Sequence, residues 1–480
     1  MANMVDYLSW RGDLTLDERP FNDADALVLS SLSYLDLGGV VPSADASGAP
    51  ADAEAPRRAV PLSEALDGLL ERAGGDLRPY VRSMASIDAT LARAAAASRR
   101  LGQALVSGYV DVTEEAASLQ FAAMRFDLAP GLSFVALRGT DSSLVGWREN
   151  FLLGSRVTVA QRMAASYVRD AAREAARSGT RLLVGGHSKG GNLAEYACVS
   201  CPGELRAAIG RCWSFDGPGF DRAIVPADGH DVLGERFRRL QPAYSIVGQL
   251  FDRPGEPRAY VASSARGSVQ HDPMTWQVAC DGSFVAAPGL DPSAALLDEA
   301  LAGWIASIPL GERERFTNEL FDVLGAGGAK TFEEFFAAPL SPQVASAVAR
   351  SSRQTKEIAL RFVQIAAGKG ADAVARAVGE GAAEAARRLS GAVGRVGDAV
   401  RAAGESRGPS AAEAPVGADD APGGAPGATG GHGTAEPADG RAAETPGGCR
   451  SLVAGAPGEA ARDGVAGSQD PETRSDVEGV

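Results

Sequence analysis

The stretch Arg181-Leu182-Leu183-Val184-Gly185-Gly186-His187-Ser188-Lys189-Gly190-Gly191-Asn192-Leu193-Ala194 decides how the chain is read. Residues 181–184 are a short apolar run of strand character, and 190–199 carry a helical pattern. Between them lies G-x-S-x-G, Gly186 to Gly190, in the strand–turn–helix setting of a nucleophile elbow. A turn that sharp leaves no room for Cβ atoms beside the serine, so Gly186 and Gly190 are mechanical necessities. The serine hydroxyl is expected above the sheet, with the next N–H, that of Lys189, aimed at a developing oxyanion. His187 lies inside the elbow with its side chain directed elsewhere, as a packing or supporting residue.

Strands and helices alternate outward from this point. Residues 119–126 and 132–137 read as a hairpin across Pro130-Gly131. A helix is predicted over 158–177, and strands over 211–215, 243–247 and 258–262. This alternation implies an α/β fold with a mostly parallel sheet flanked by helices. Upstream, helical patterns cover 21–37, 62–73 and 83–105, with 38–60 an exposed insertion. Downstream, 291–310, 316–324, 332–338 and 343–365 are helical, and 371–401 is an Ala-rich amphipathic pattern. The expected organisation is a hydrolase-like domain over 1–310, a helical extension over 311–404 and a tail over 405–480. That tail is Gly, Ala, Pro and acid with almost no large apolar residue, and is expected to be disordered.

The 480 residues are 45% hydrophobic and 22% charged, enough apolar content for a large core. A net charge of −14 argues against a partner held by phosphate neutralisation, so no nucleic acid is expected. Five cysteines are too few for a disulfide scaffold of this length, and Cys198-x-x-Cys201 has no second ligand pair, so no metal is expected. No Gly-(four)-Gly-Lys-Ser/Thr order occurs, and no cofactor is implied. The first thirty residues lack an apolar core, and no uncharged apolar run reaches the roughly 18 residues a membrane span needs. The expectation is a cytoplasmic protein, with peripheral membrane contact through the C-terminal helices as an option.

A nucleophilic serine needs a base, and four histidines are present. His187 adjoins the serine, His432 is in the tail and His230 sits in a polar loop. His271, in a loop after a late strand, fits the chain order Ser, acid, His. The acid lies between Ser188 and His271. Asp216, at the end of the 211–215 strand before Gly217-Pro218-Gly219, is the first candidate, and Asp252 the alternative. The second oxyanion donor is expected at Thr140, where the strand Phe134-Val135-Ala136-Leu137 runs into Arg138-Gly139-Thr140.

Together these segments resemble class 3 (fungal-type) lipases. Leu137-Arg138-Gly139-Thr140 followed by Trp147 is similar to their F-R-G-T/S…W block, and Gly186-His187-Ser188-Lys189-Gly190-Gly191 to their elbow. Ser214-Phe215-Asp216-Gly217-Pro218-Gly219-Phe220 and Gln270-His271-Asp272-Pro273…Trp276 look more like an uncharacterised bacterial branch of that superfamily. The resemblance covers roughly residues 1–310. It implies an α/β-hydrolase fold and a serine hydrolase of carboxylic esters, with a lipid-like ester as substrate and Trp147 beside the acyl group. An acyltransferase using the same acyl-enzyme, with a different acceptor, remains open as an alternative. One segment departs from the pattern: Ser245-Ile246-Val247-Gly248 puts a serine where the lipases carry their acid. Asp216 or Asp252 takes that role, or the chain is a hydrolase-fold interaction module of little activity.

Overall fold

A computed structural model describes residues 2–44, 58–221, 232–251, 257–331, 334, 342–353 and 355. Eight strands form one sheet in sequential order: β1 (Val60–Pro61), β2 (Leu105–Glu114), β3 (Leu119–Ala129), β4 (Leu132–Leu137), β5 (Arg181–His187), β6 (Ile209–Phe215), β7 (Phe237–Pro242) and β8 (Ala259–Val261). The first three pairings are antiparallel, and the four from β4 to β8 are parallel. The β3–β4 turn bends at Gly131, with φ of +76°. Helices flank both faces, as in an α/β hydrolase.

Strand alternation divides the core. Phe134, Ala136, Leu183, Trp213 and Phe215 point into one layer. There they meet α1 (Met4–Arg11), α2 (Asp23–Leu32), α3 (Leu62–Arg72) and α4 (Ala89–Ala97). Val135, Leu137, Leu182, Val184 and Cys212 point into the other. That layer holds α6 (Val159–Ser178) and α7 (Lys189–Ser200), the helices that connect β4 to β5 and β5 to β6. Sequential strand order places both crossovers on one face, so the N-terminal hundred residues are what cover the other. Local chemistry sets the helix ends. Thr158 and Gln161 make a capping box at the start of α6, and Gly179, at φ +68°, ends it.

Three expectations are corrected. The helix read over 83–105 is only α4, capped by Asp88. Arg100 is drawn instead into a buried ion pair with Asp25, 2.6 Å, and Leu105 opens β2. The strand expected at 243–247 lies earlier, at β7. Arg238 and Arg239 disguise it, because Arg239 is buried against Glu195 at 2.8 Å. The insertion is not wholly exposed: Val41 is buried, Ser43 bridges Tyr109 and Val60 joins the sheet.

Short α8 (Gly203–Arg206) precedes β6, and α9 (Pro292–Ser307), α10 (Leu310–Gly325) and α11 (Pro342–Arg350) follow the sheet. α5 (Leu144–Leu152), between β4 and α6, receives α10: Phe151 and Phe321 meet edge to face at 5.5 Å, and Arg156 pairs with Glu314 at 2.9 Å. Among the described residues no helix is long and apolar enough to cross a membrane. The 371–401 pattern and the tail lie outside the described residues, as do most of 332–338 and all of 356–365.

Candidate active site

The carboxyl ends of β4, β5, β6 and β8 converge, which is where parallel sheets place ligands. Ser188 stands between β5 and α7 with φ +57° and ψ −131°. A non-glycine residue at positive φ costs free energy, and surrounding contacts must hold it. The Ser188 N–H donates to the Phe215 carbonyl at 2.9 Å, and the Ser188 carbonyl accepts from Gly191. The flanking glycines are enforced by space. A Cβ on Gly186 would sit 2.3 Å from the Gly190 carbonyl, and one on Gly190 2.1 Å from the Leu137 oxygen.

His271 ends a short 3-10 turn, Gly267–His271, after β8. Its Nδ1 lies 2.5 Å from Asp216 Oδ2. Asp216 is fully buried at the end of β6, at φ +49°. Its other oxygen, Oδ1, accepts from the Ser245 hydroxyl at 2.5 Å and from the Gly248 N–H at 3.2 Å. Three donors thus compensate a carboxylate taken out of water. Ser245, the serine at the position where the resemblance leads one to expect an acid, thus donates to a carboxylate from the neighbouring strand. With Nδ1–H given to Asp216, Nε2 of a neutral His271 is left as an acceptor. Asn192, one turn into α7, donates to the Pro218 and Gly219 carbonyls and so holds the turn after Asp216. Asp252, His230 and His432 lie outside the described residues.

Thr140 and Lys189 stand at the same end of the sheet. Thr140 Oγ1 donates to Asn150 Oδ1 at 2.9 Å. Lys189 is the first residue of α7, so its N–H belongs to the turn that has no intrahelical acceptor. Its side chain is buried and fully used: Nζ donates to the Gln120 carbonyl, to Gln120 Oε1 and to Glu149 Oε2, all within 2.9 Å. Glu149, also buried, accepts from the Ala160 N–H in the first turn of α6. Consecutive residues of α5, Glu149 and Asn150, thus hold Lys189 and Thr140.

A cavity of about 620 Å³ opens here. Ser188, His271, Thr140, Lys189, His187 and Trp147 all reach its wall, and the remainder is chiefly apolar, including Phe151, Leu250, Phe251, Ile308 and Phe316. α5 divides by helical periodicity: Trp147 and Phe151 face the cavity, while Leu144 and Leu152 are buried. Among the described residues no group of His, Cys, Asp or Glu is arranged to hold a metal ion.

His187 is fully buried. Its Nδ1 lies 2.9 Å from the Tyr34 hydroxyl and its Nε2 2.8 Å from the His271 carbonyl. Burial, reinforced by the neighbouring His271, pushes its pKa well below the ordinary value, so the ring stays neutral. Sequence reasoning did not find Tyr34, Gln120, Glu149 or Asn150. None stands in a motif, and only the folded chain brings them to the elbow.

A family model described as Mbeg1-like matches residues 95–322, from the last turn of α4 into α10. Among solved structures, the crystal structure of M37 lipase is similar with a TM-score of 0.30 and 15% identity, over 48% of this chain and 70% of that one. No curated protein matches the chain.

Proposed function

We propose that this chain is a serine hydrolase of carboxylic esters with lipid-like acyl groups, working through an acyl-enzyme. Ser188 attacks the ester carbonyl while His271 Nε2 takes its proton. The buried Asp216 holds the imidazole in the required tautomer and stabilises the imidazolium that forms. The N–H groups of Thr140 and Lys189 receive the negative charge of the tetrahedral intermediate. His271 then protonates the leaving alcohol, and water repeats the sequence to release the acid. The apolar cavity supports an acyl group, with Trp147 beside it. The observation that carries this reading is the His271–Asp216 contact of 2.5 Å at the cavity where Ser188 sits strained on its elbow. The alternative of a weakly active interaction module drew on the serine at 245 and on the long C-terminal third; the carboxylate of Asp216 beside His271 weakens the first of these grounds.

A fluorophosphonate probe tests this. Wild-type protein is expected to be labelled at Ser188 and to hydrolyse p-nitrophenyl esters, and Ser188→Ala to lose both. Full turnover by Ser188→Ala, or a wild-type protein inert to the probe, overturns the proposal.

A further inference from the structure

The imidazole of a catalytic base is useful only if both its ring and its main chain are fixed relative to the nucleophile. Asp216 restrains the His271 ring. The 267–276 loop has ties on either side of His271: Trp276 Nε1 and the Tyr244 N–H bind Gln270 at 2.8 and 3.0 Å, and the Ser86 N–H binds Asp272 at 2.9 Å. The main chain of residue 271 itself is tied by His187.

A carbonyl oxygen only accepts, so the 2.8 Å contact with the His271 carbonyl requires a proton on His187 Nε2. The neutral ring then has a bare Nδ1, and the Tyr34 hydroxyl donates to it at 2.9 Å. Tyr34 is fully buried, just beyond α2. The ring also sits 4.7 Å from the His271 ring, centroid to centroid. A chain of two hydrogen bonds therefore runs from the N-terminal helical layer, through the residue that precedes Ser188, to the backbone of the base.

We propose that His187 is a positioning residue: its Nε2–H bond to the His271 carbonyl sets the distance between the base and the serine next to it in sequence. This rests on the reading of Ser188 and His271 as nucleophile and base. The role explains why an imidazole serves at 187. A phenyl ring fills the same space but donates nothing, whereas a glutamine keeps an N–H donor.

The test compares His187→Phe, His187→Gln and Tyr34→Phe with wild type. The readouts are kcat and KM on p-nitrophenyl butyrate, the rate of fluorophosphonate labelling, and hydrogen–deuterium exchange across 267–276. His187→Phe is expected to lower kcat and labelling by about 10²-fold, the order a misplacement near 1 Å produces. KM should stay within about threefold, since the proposed role is to hold the base and the phenyl ring keeps the cavity wall filled. Exchange across 267–276 should quicken selectively. His187→Gln should recover most of the loss, and Tyr34→Phe should show a smaller loss of the same kind. Unchanged kcat and exchange in His187→Phe overturn the proposal. So does a loss that His187→Gln fails to relieve, with exchange raised evenly along the chain, because that marks a residue needed only for folding. If His187→Phe is insoluble, Tyr34→Phe and His187→Gln decide in the same way. Should the wild-type protein resist labelling, the functional reading falls, while the exchange data still report on the His187 link.

Discussion

At the scale of single residues, the site turns on where a carboxylate is delivered. Asp216 comes from the end of β6, and Ser245, just past β7, turns its hydroxyl toward it. The two residues are thereby expected to differ in effect. Asp216→Asn presents an amide where the imidazole needs an acceptor, and should lower kcat by up to about 10⁴-fold. Ser245→Ala removes one of three donors to a carboxylate, a charge-assisted bond of about 1.5–3 kcal/mol, and should cost roughly 10- to 10²-fold. Steady-state kinetics on a short p-nitrophenyl ester separates them. Equal losses in the two variants would mean that Ser245 does more than orient Asp216. The chain order and the strand end made Asp216 the first candidate for a partner of His271, ahead of Asp252. The contact itself was not legible, because the distance between residues 216 and 271 is set by how β6, β7 and β8 lie side by side.

At the scale of elements, the elbow and α5 form one unit. The turn at Ser188 is a local structure that the glycines permit, but its flank is held by Lys189 inside a cage of Gln120 and Glu149. Lys189 and Glu149 are both about 1% exposed, so the pair has no water to fall back on. Removing one partner strands the other's charge, at a cost of about 3–5 kcal/mol. Glu149→Leu alone is expected to show that loss in the urea unfolding midpoint. Glu149→Leu with Lys189→Met should regain a large part of it, since no unpaired charge remains. A double variant no more stable than the single one would contradict this. A lysine at position 189 is easily read as a solvated side chain at the start of a helix. Its burial follows from α5 folding back over β3, which no pattern within the elbow reveals.

At the scale of the molecule, the N-terminal helices and α10 do more than decorate a hydrolase sheet. The first bring Tyr34 to the elbow, and the second walls the cavity. The boundary expected at residue 310 thus cuts through the pocket, whose lining includes Ile308, Phe316 and Thr317. Arg313, on the first turns of α10, bonds the Gly154 carbonyl at 2.9 Å and pairs with Asp221, clasping the helix against the loops beside the site. If the cavity receives the acyl chain, Phe316→Ala should weaken long substrates and spare short ones. A lost apolar contact of about 1.5–3 kcal/mol predicts a fall of roughly 10- to 10²-fold in kcat/KM for the longest ester that fits. p-Nitrophenyl acetate should change by less than about threefold. A chain-length panel checks this, and a uniform fall at every length would place the acyl group elsewhere.

Much of this protein follows from short-range rules. Alternating strand and helix patterns specify an α/β sheet, Pro130-Gly131 specifies a hairpin, and the glycines around Ser188 specify a strained turn, because steric exclusion acts between near neighbours in the chain. Even there, charge misled: β7 escaped recognition because Arg239 looks solvated until Glu195 is brought against it. Everything that depends on long-range juxtaposition was decided by the tertiary structure alone. This includes the contact of Asp216 with His271, the hydrogen bond from Ser245, the burial of Lys189, the tie from His187 to the main chain of residue 271 and the part α10 takes in the pocket. Those contacts join residues tens to hundreds of positions apart, and their geometry comes from sheet register and layer packing, which no local segment encodes.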